Sequence, residues 1–198
     1  MALFRFASDP PKRPLVQTQN LSLRPPVAED YAAWSLLRIE SRAFLTPWEP
    51  VWHEDDLTRN SFRLRVKRAA REMAADEAYS LFVTETATGQ LLGGLTLGLV
   101  RRGVAQACTL GYWMGQRHAG KGHMTEAVRG ALQFAFADLA LHRVEAACLP
   151  NNLPSRRLLE RVGFRQEGLA RAYLRINGAW EDHLLFAALA SDRLPGAG

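Results

Sequence analysis

The sequence predicts an α/β fold (an α+β mixed sheet) made of a single domain. Its 198 residues are 47% hydrophobic, which suits one domain with a full core. Apolar runs of strand length alternate with runs whose apolar residues recur at helical spacing. One helical run, residues 123–139, joins two strand-like runs, and such a crossover predicts a parallel pair within the sheet.

The predicted element order is β-α-α-β-β-β-α-β-α-β-β within a domain of residues 20–190. An extended, proline-containing arm precedes it over residues 1–19, and residues 191–198 form a tail. The predicted elements are strand 21–24, helix 29–42, helix 55–75, strands 79–86, 91–100 and 106–114, helix 123–139, strand 142–149, helix 155–162, and strands 164–175 and 179–189.

Turn residues set several of these boundaries. Pro25 and Pro26 stop the first strand. Thr88-Gly89 and Asn177-Gly178 are two-residue hairpin signals, and Gly163 ends the last helix.

Composition excludes some classes of protein and leaves others open. No apolar run approaches the ~20 residues of a membrane span, and the first residues lack the longer apolar region of a secretory signal. Cys108 and Cys148 lie in strand-like runs and do not have the spacing of metal ligands, so we expect two buried thiols in a cytosolic protein. The net charge of +5 fits RNA, ribosomes or an anionic cofactor. We expect a cytoplasmic protein without a metal, monomeric or homodimeric.

The segment Gln116–Gly122 is a glycine-rich turn between a predicted strand and a predicted helix. Backbone N–H groups at the positive end of a helix dipole form a ready site for phosphates. Gly115 to Lys121 match G-x-x-x-x-G-K, but the P-loop hydroxyl that ligates Mg²⁺ is replaced by Gly122. No apolar strand ends in an acidic residue placed to hold a metal, so we exclude an ATPase site.

The same turn fits the pattern R-x-x-G-x-G through Arg117, Gly120 and Gly122. This resembles the acetyl-CoA pyrophosphate loop of the GNAT N-acetyltransferases. Two glycines let the backbone approach a diphosphate without a Cβ, while Arg117, His118 and Lys121 supply positive charge or donors. Taken alone the pattern is short, and a purely structural turn is the alternative.

A second motif agrees with this resemblance. Pro150–Phe164 is similar to the N-x-x-S helix of the family and its L-G-F ending, with Val162 in the Leu position. Segments Phe44–Val51 and Tyr173–His183 resemble the acceptor-side loop and C-terminal hairpin of the Rim-type (RimJ-like) branch. That branch acetylates N-terminal amines of ribosomal proteins.

The resemblance, over about residues 15–190, implies an enzyme that transfers acetyl from acetyl-CoA to an α-amine. A ribosomal protein N-terminus is the favoured acceptor, with possible ribosome association. Acetylation of a small amine or amino acid is one alternative, and a CoA-binding ribosome-assembly factor, contacting RNA through the Arg-rich second helix, is another.

The resemblance also implies a set of cofactor-binding residues. Backbone groups on the strand before the loop would pair with the pantetheine arm, and Asn152 would hydrogen-bond it. Asn152 also fits a helix N-cap, and both can hold. The full set is Tyr112, Trp113, Met114, Gln116, Arg117, His118, Ala119, Gly120, Lys121, Gly122, Asn152 and Ser155.

For the leaving thiolate, many acetyltransferases use a Tyr one turn into this helix, where the present chain has Leu159. Ser155 is the matching hydroxyl in the Rim-type branch, and a plain first-turn residue is the alternative.

An α-amine, with a pKa of about 7.7–8.0, must lose a proton before it attacks a thioester. Glu49 is a candidate to bind or deprotonate the amine, and Glu145 is a second candidate base whose alternative is an ion-paired strand residue. Further candidates for shaping the acceptor pocket, each with core packing or hairpin pairing as the alternative, are Trp48, Trp52, Tyr173, Trp180, Asp182 and His183.

Overall fold

An eight-stranded mixed sheet forms the centre of the structure, a computed structural model that describes residues 14–192. The strands are β1 Val16–Gln17, β2 Leu21–Arg24, β3 Tyr79–Glu85, β4 Leu91–Arg101, β5 Ala107–Met114, β6 Arg143–Cys148, β7 Arg165–Ile176 and β8 Ala179–Leu189. They lie in the order β1-β2-β3-β4-β5-β6-β8-β7, and all neighbours are antiparallel except β5 and β6.

Helices cover both faces of this sheet. They are α1 Tyr31–Glu40, α2 Arg42–Leu45, α3 Arg59–Ala74, α4 His123–Gln133 and α5 Leu153–Val162. On one face, α4 and α5 pack into the larger core through side chains such as Val128 and Leu159. On the other face, α1 and α3 form a smaller cluster in which Trp34 and Phe62 pack with 4.7 Å between ring centroids.

The predicted turn residues act as expected. The Asn152 side chain caps α5 by accepting a hydrogen bond from the Ser155 N–H at 3.1 Å, and Gly163 ends this helix with φ of +103°. Asn177 and Gly178 both have positive φ and join β7 to β8.

The structure differs from the prediction at several helix boundaries. The helix predicted over 29–42 begins at Tyr31 and ends at Glu40, and after Ser41 the chain forms the separate short helix α2. The helix predicted from residue 55 begins at Arg59, because the Thr58 hydroxyl accepts a hydrogen bond from the Ser61 N–H and caps it there. The helix predicted to reach 139 keeps α geometry to Gln133 and continues as a π-helical turn, Phe134–Asp138.

The predicted arm lies partly outside the described residues, as does most of the tail. Residues 14–19 are described, and they include β1, which pairs with β2. Within residues 14–192, no helix is both long enough and apolar enough to cross a bilayer.

Strands β5 and β6 are parallel, which confirms the predicted crossover. Their pairing covers only part of each strand. Strands β5 and β6 pair from Ala107↔Arg143 to Leu110↔Ala146 only. Beyond Leu110, β5 stays paired with β4 as far as Met114, while β6 stays paired with β8 as far as Cys148. The two strands therefore part, and within residues 14–192 the edge of β5 from Gly111 to Met114 has no strand partner on the β6 side. We call this opening the wedge.

Candidate active site

The glycine loop follows β5 directly and leads into α4. A short 3₁₀ turn, Gln116–His118, comes first, and then Gly120 and Gly122 have φ of +74° and +86°. A Cβ at either glycine would meet no other atom within 4 Å, so their backbone conformation demands glycine while packing does not. The space above both residues is therefore open to a ligand.

The same segment presents backbone donors at the start of a helix. The Glu126 N–H donates to the Gly122 carbonyl and is the first helical bond of α4. In the described part of the chain, the N–H groups of residues 120–125 have no protein acceptor. Free N–H groups beside a helix N-terminus suit a diphosphate, so these residues fit the predicted group.

The beginning of the loop is fixed to α1 instead. The Gln116 N–H donates to the buried Ser41 hydroxyl at 2.9 Å, so this backbone group is already used within the protein. Gly115 lies against Leu37, and an added Cβ would come within 2.4 Å of the Leu37 Cδ1 atom. The predicted segment Gln116–Gly122 therefore divides into an anchored half and a free half.

The charged side chains of the loop have distinct positions. Arg117 is half exposed and pairs with Glu40 at 3.1 Å. Its Nε also donates to Nε2 of the buried His118 at 3.0 Å. Burial, reinforced by the positive charges of Arg117, Lys121 and His123, lowers the pKa of His118 below its ordinary value. A neutral His118 thus holds Arg117 at the mouth of the loop.

Two hydroxyl groups meet across the wedge. The Tyr112 hydroxyl on β5 lies 2.7 Å from the Ser155 Oγ in the first turn of α5. Burial raises the pKa of Tyr112 above its ordinary value. Leu159, one turn further along α5, is fully buried in the core. Sequence reasoning assigned only the backbone of Tyr112 to the site and missed its side chain.

A cleft of about 840 Å³ lies on the face of the sheet that α1 and α3 cover, opposite α4 and α5. It runs between α3 and the surface of β3, β4 and β5, and Trp34, Phe82, Thr96, Trp113, Glu145 and Tyr173 all contribute to its walls. Gly94 on β4 lets the Trp113 ring lie flat there, because an added Cβ would come within 2.5 Å of the indole nitrogen. Trp113 and Tyr112 are neighbours on β5, so this cleft and the wedge meet at one strand.

Glu49 lies in a dense cluster at one end of α1. Arg38 donates to both of its carboxylate oxygens, at 2.7 and 2.6 Å, and the Trp52 indole N–H donates at 2.8 Å. The Arg38 guanidinium also lies 4.0 Å from the Trp52 ring centroid and 4.9 Å from that of Trp113. Three donors use most of the carboxylate's roughly four acceptor positions, and about one is left.

The C-terminal hairpin reaches this cluster. The Asn177 N–H donates to the Glu49 carbonyl at 2.9 Å, so the tip of the hairpin holds the Glu49 loop. Tyr173 lines the cleft and packs edge-on against His183, whereas Trp180 is 66% exposed. The Asp182 carboxylate accepts a hydrogen bond from the Ala172 N–H at an irregularity of β7.

The other predicted acceptor-side residues lie further from one another. Trp48 is half-buried in a 3₁₀ turn beside Glu49. Glu145 on β6 lines the cleft, and its two oxygens accept hydrogen bonds from Arg101 and Arg143. Glu145 therefore lies in the cleft, as a base would, and it is also ion-paired, which was the alternative to its role as a base.

Arg38 and Ser41 were missed as well. Arg38 contacts Glu49 eleven residues away, and Ser41 contacts Gln116 across 75 residues. No local pattern marks such partners. In the described part of the chain, no three His, Cys, Asp or Glu side chains gather as a metal site requires.

Comparisons with known proteins agree with this geometry. Residues 20–165 match the acetyltransferase (GNAT) domain family. The ribosomal protein uS5-alanine N-acetyltransferase of Escherichia coli (strain K12) is 35% identical over 98% of this chain and 100% of its own length. The probable N-acetyltransferase YjcK of Bacillus subtilis is 35% identical over 90% of this chain and 98% of its own length.

Solved structures show the same relationship. Mycobacterium smegmatis RimJ in complex with CoA-disulfide superposes with a TM-score of 0.82 at 36% identity, covering 86% of this chain and 82% of that one. The ribosomal-protein-S5-alanine acetyltransferase from Vibrio fischeri also superposes with a TM-score of 0.82, at 28% identity, over 89% and 96% of the two chains.

The chain belongs to the GNAT acetyltransferase family. It is an acetyl-CoA-dependent N-acetyltransferase, which confirms the predicted fold class, enzyme class and co-substrate.

Proposed function

We propose that this enzyme acetylates the α-amine of a protein N-terminus, and that the acceptor is a ribosomal protein beginning with alanine. The observation that carries the proposal is the full-length match to the uS5-alanine N-acetyltransferase, which includes the acceptor-side loop and the C-terminal hairpin. The open cleft of about 840 Å³ supports an acceptor longer than a single amino acid.

We assign acetyl-CoA to the wedge and the loop. The free N–H groups of residues 120–125 would hold the diphosphate, with Arg117 and Lys121 beside it. The unpaired edge of β5 at Tyr112, Trp113 and Met114 would pair with the amide groups of the pantetheine arm. The side-chain oxygen of Asn152, Oδ1, caps α5, and the side-chain NH₂ is left to donate to that arm.

We assign Glu49 to the acceptor's ammonium group. Its remaining acceptor position can take one N–H of the amine, while Arg38 and Trp52 prevent the carboxylate from turning away. Trp48, Tyr173 and Asp182 would shape the entrance for the following residues of the peptide.

Once the amine has lost a proton to water in the cleft, its lone pair attacks the thioester carbonyl carbon. The C–S bond then breaks, its electron pair moves to sulfur, and the nitrogen gives up a second proton to water to become the amide. Ser155 lies beside the wedge and would donate a hydrogen bond to this thiolate. Glu145 holds the wall of the cleft through Arg101 and Arg143, and the pH profile of Glu145→Gln tests its predicted role as base.

Ribosome association would help this reaction by concentrating the acceptor. Within residues 14–192, Arg63, Lys67 and Arg71 on α3 are exposed, four residues apart, and in no ion pair. Such a stripe suits the phosphates of RNA. We place the protein in the cytoplasm, where acetyl-CoA and ribosomes are both present.

Intact-mass spectrometry tests the acceptor. The enzyme, with acetyl-CoA, is given a peptide copying the N-terminus of its own organism's uS5 with alanine first. A matched peptide with a blocked N-terminus and one internal Lys, and the small amine spermidine, serve as controls. We expect one acetyl group on the first peptide only. Acetylation of spermidine without acetylation of the free N-terminus would overturn the proposal.

A further inference from the structure

The Tyr112 and Ser155 hydroxyls occupy the place where the two parting strands leave room for a ligand. Tyr112 lies two residues beyond Leu110, the last β5 residue paired with β6. Ser155 approaches from the other side of the wedge, in the first turn of α5, with 2.7 Å between its Oγ and the phenol oxygen. A thioester entering the wedge would therefore meet this pair of hydroxyl groups.

Burial dominates the environment of the pair, although the charges of Arg156 and Glu160 also act on the neighbouring Cys148. The Tyr112 ring packs against the larger core, and burial raises the pKa of its hydroxyl, with the Ser155 hydrogen bond acting in the opposite direction. Cys148, at the end of β6, is the third polar group nearby, and burial likewise raises the pKa of its thiol. The phenol and the thiol thus keep their protons throughout the neutral range.

The backbone of Ser155 is already fixed. Its N–H donates to the Asn152 side chain, so the Cα–Cβ bond of Ser155 has one defined direction. What remains free is the rotation of the side chain and of its hydroxyl hydrogen. The hydrogen bond with Tyr112 restricts both rotations.

We propose that Tyr112 is a positioning residue for the departure of the thiolate. Its O–H donates to the Ser155 Oγ, and the Ser155 O–H is thereby directed at the sulfur of acetyl-CoA. This inference rests on the role proposed above for Ser155.

The chemistry is hydrogen bonding without proton loss from either hydroxyl. As the amine nitrogen bonds to the carbonyl carbon, the C–S bond breaks, sulfur keeps the electron pair, and the nitrogen releases its second proton to water to become the amide. Both hydroxyls are weaker acids than a thiol, whose ordinary pKa is about 8.5. Ser155 therefore stabilises the thiolate as a donor, and the sulfur takes its proton from water.

The test uses Tyr112→Phe, Ser155→Ala and the double variant, with release of the free CoA thiol as the readout and the alanine peptide as acceptor. Ser155→Ala should lower kcat about 10- to 100-fold, because a hydrogen bond to a charged group is lost. Tyr112→Phe should lower kcat about 3- to 10-fold, with the KM for acetyl-CoA within about twofold of wild type. The double variant should be no slower than Ser155→Ala, since Tyr112 acts through Ser155.

Two controls separate positioning from packing. Tyr112→Phe keeps the ring, so its melting temperature should stay close to that of the wild type. Cys148→Ala removes the neighbouring thiol while the hydroxyl pair remains, and its kcat should stay near the wild-type value. The pH profile of kcat should keep its shape in Tyr112→Phe, because the phenol does not titrate near neutrality.

The outcomes distinguish the two proposals. A wild-type kcat in Tyr112→Phe beside a slow Ser155→Ala would overturn the role of Tyr112 and leave that of Ser155 standing. Fully additive losses in the double variant would also overturn it. A wild-type kcat in Ser155→Ala would instead remove the catalytic role of Ser155 itself.

Discussion

The two halves of the active site are built in different ways. The cofactor half consists of one continuous stretch, from β5 through the glycine loop to α4, and it offers mainly backbone N–H groups. The acceptor half consists of side chains from α1, the Glu49 loop and the β7–β8 hairpin, which come together only in the folded chain. Backbone geometry therefore governs the first half, and long-range side-chain pairing governs the second.

The largest effect is expected at the free half of the glycine loop. Gly120→Ala places a Cβ where the diphosphate approaches, and the Kd of acetyl-CoA should rise about 100-fold as more than one charged hydrogen bond is weakened. Titration calorimetry measures this directly.

Gly89→Ala is a matched control. Gly89 has φ of +72°, close to the +74° of Gly120, and neither has an atom within 4 Å of an added Cβ. Both variants should lose about 1 kcal/mol of stability through backbone strain. An equal loss of acetyl-CoA affinity in both would mean that strain, and not contact with the ligand, explains the effect.

Next in size is the effect of Glu49→Gln, which probes the acceptor half. The KM for the alanine peptide should rise about tenfold, because a hydrogen bond from the ammonium to a charged group is lost. The Kd of acetyl-CoA should stay unchanged, and steady-state kinetics with calorimetry measures both.

Arg38→Lys is the companion variant for Glu49. It keeps the charge of Arg38 but loses the bidentate hold on the carboxylate, so it should raise the same KM by a smaller factor. A change in acetyl-CoA affinity without a change in peptide KM would contradict the division of the site into two halves.

A smaller effect is expected from pH. With subsaturating peptide, the rate should rise about six- to tenfold between pH 7 and 9, as an amine of pKa about 7.7–8.0 loses its proton, and then level off. Glu145→Gln should leave this rise in rate with pH unchanged, because Glu145 holds the cleft wall through Arg101 and Arg143. If the wild-type rate instead rises with pH at lower pH values, and this rise disappears in Glu145→Gln, then Glu145 is the base.

The smallest effect is expected from Glu126, which lies on α4 but whose carboxylate accepts hydrogen bonds from Thr18 and Asn20 and makes none with the glycine loop. Burial opposes its ionisation, but hydrogen bonds from Thr18 and Asn20 together lower the pKa of Glu126. Because the folded pKa lies below the unfolded value of about 4.3, this stability is present above that pH and is lost as pH falls through the folded pKa. Glu126→Gln should lower the free energy of unfolding by about 1 kcal/mol at pH 7, as seen in denaturant titrations, with both binding constants unchanged. A changed acetyl-CoA affinity would place Glu126 in the cofactor half.

The same division explains what the sequence could predict. The hairpin at Asn177-Gly178, the cap at Asn152 and the loop glycines are local signals, and the structure has each of them at the predicted place. The roles of Arg38, Ser41 and the Tyr112 hydroxyl depend on partners 11, 75 and 43 residues away, and no local sequence pattern links the two members of any of these pairs. Likewise, the end of α1 at Glu40 lies next to the contact between Ser41 and Gln116.

The wedge has a consequence for the lifetime of the protein. Two facing strand edges inside a sheet are a weak point. In the described part of the chain, the backbone groups of Gly111–Met114 on the β6 side lack the cross-strand bonds that protect their neighbours. A ligand that fills the gap serves as the missing strand, and at 100 times its Kd it adds about 2.7 kcal/mol of stability. We therefore expect proteases to cleave the free enzyme faster than the enzyme saturated with acetyl-CoA.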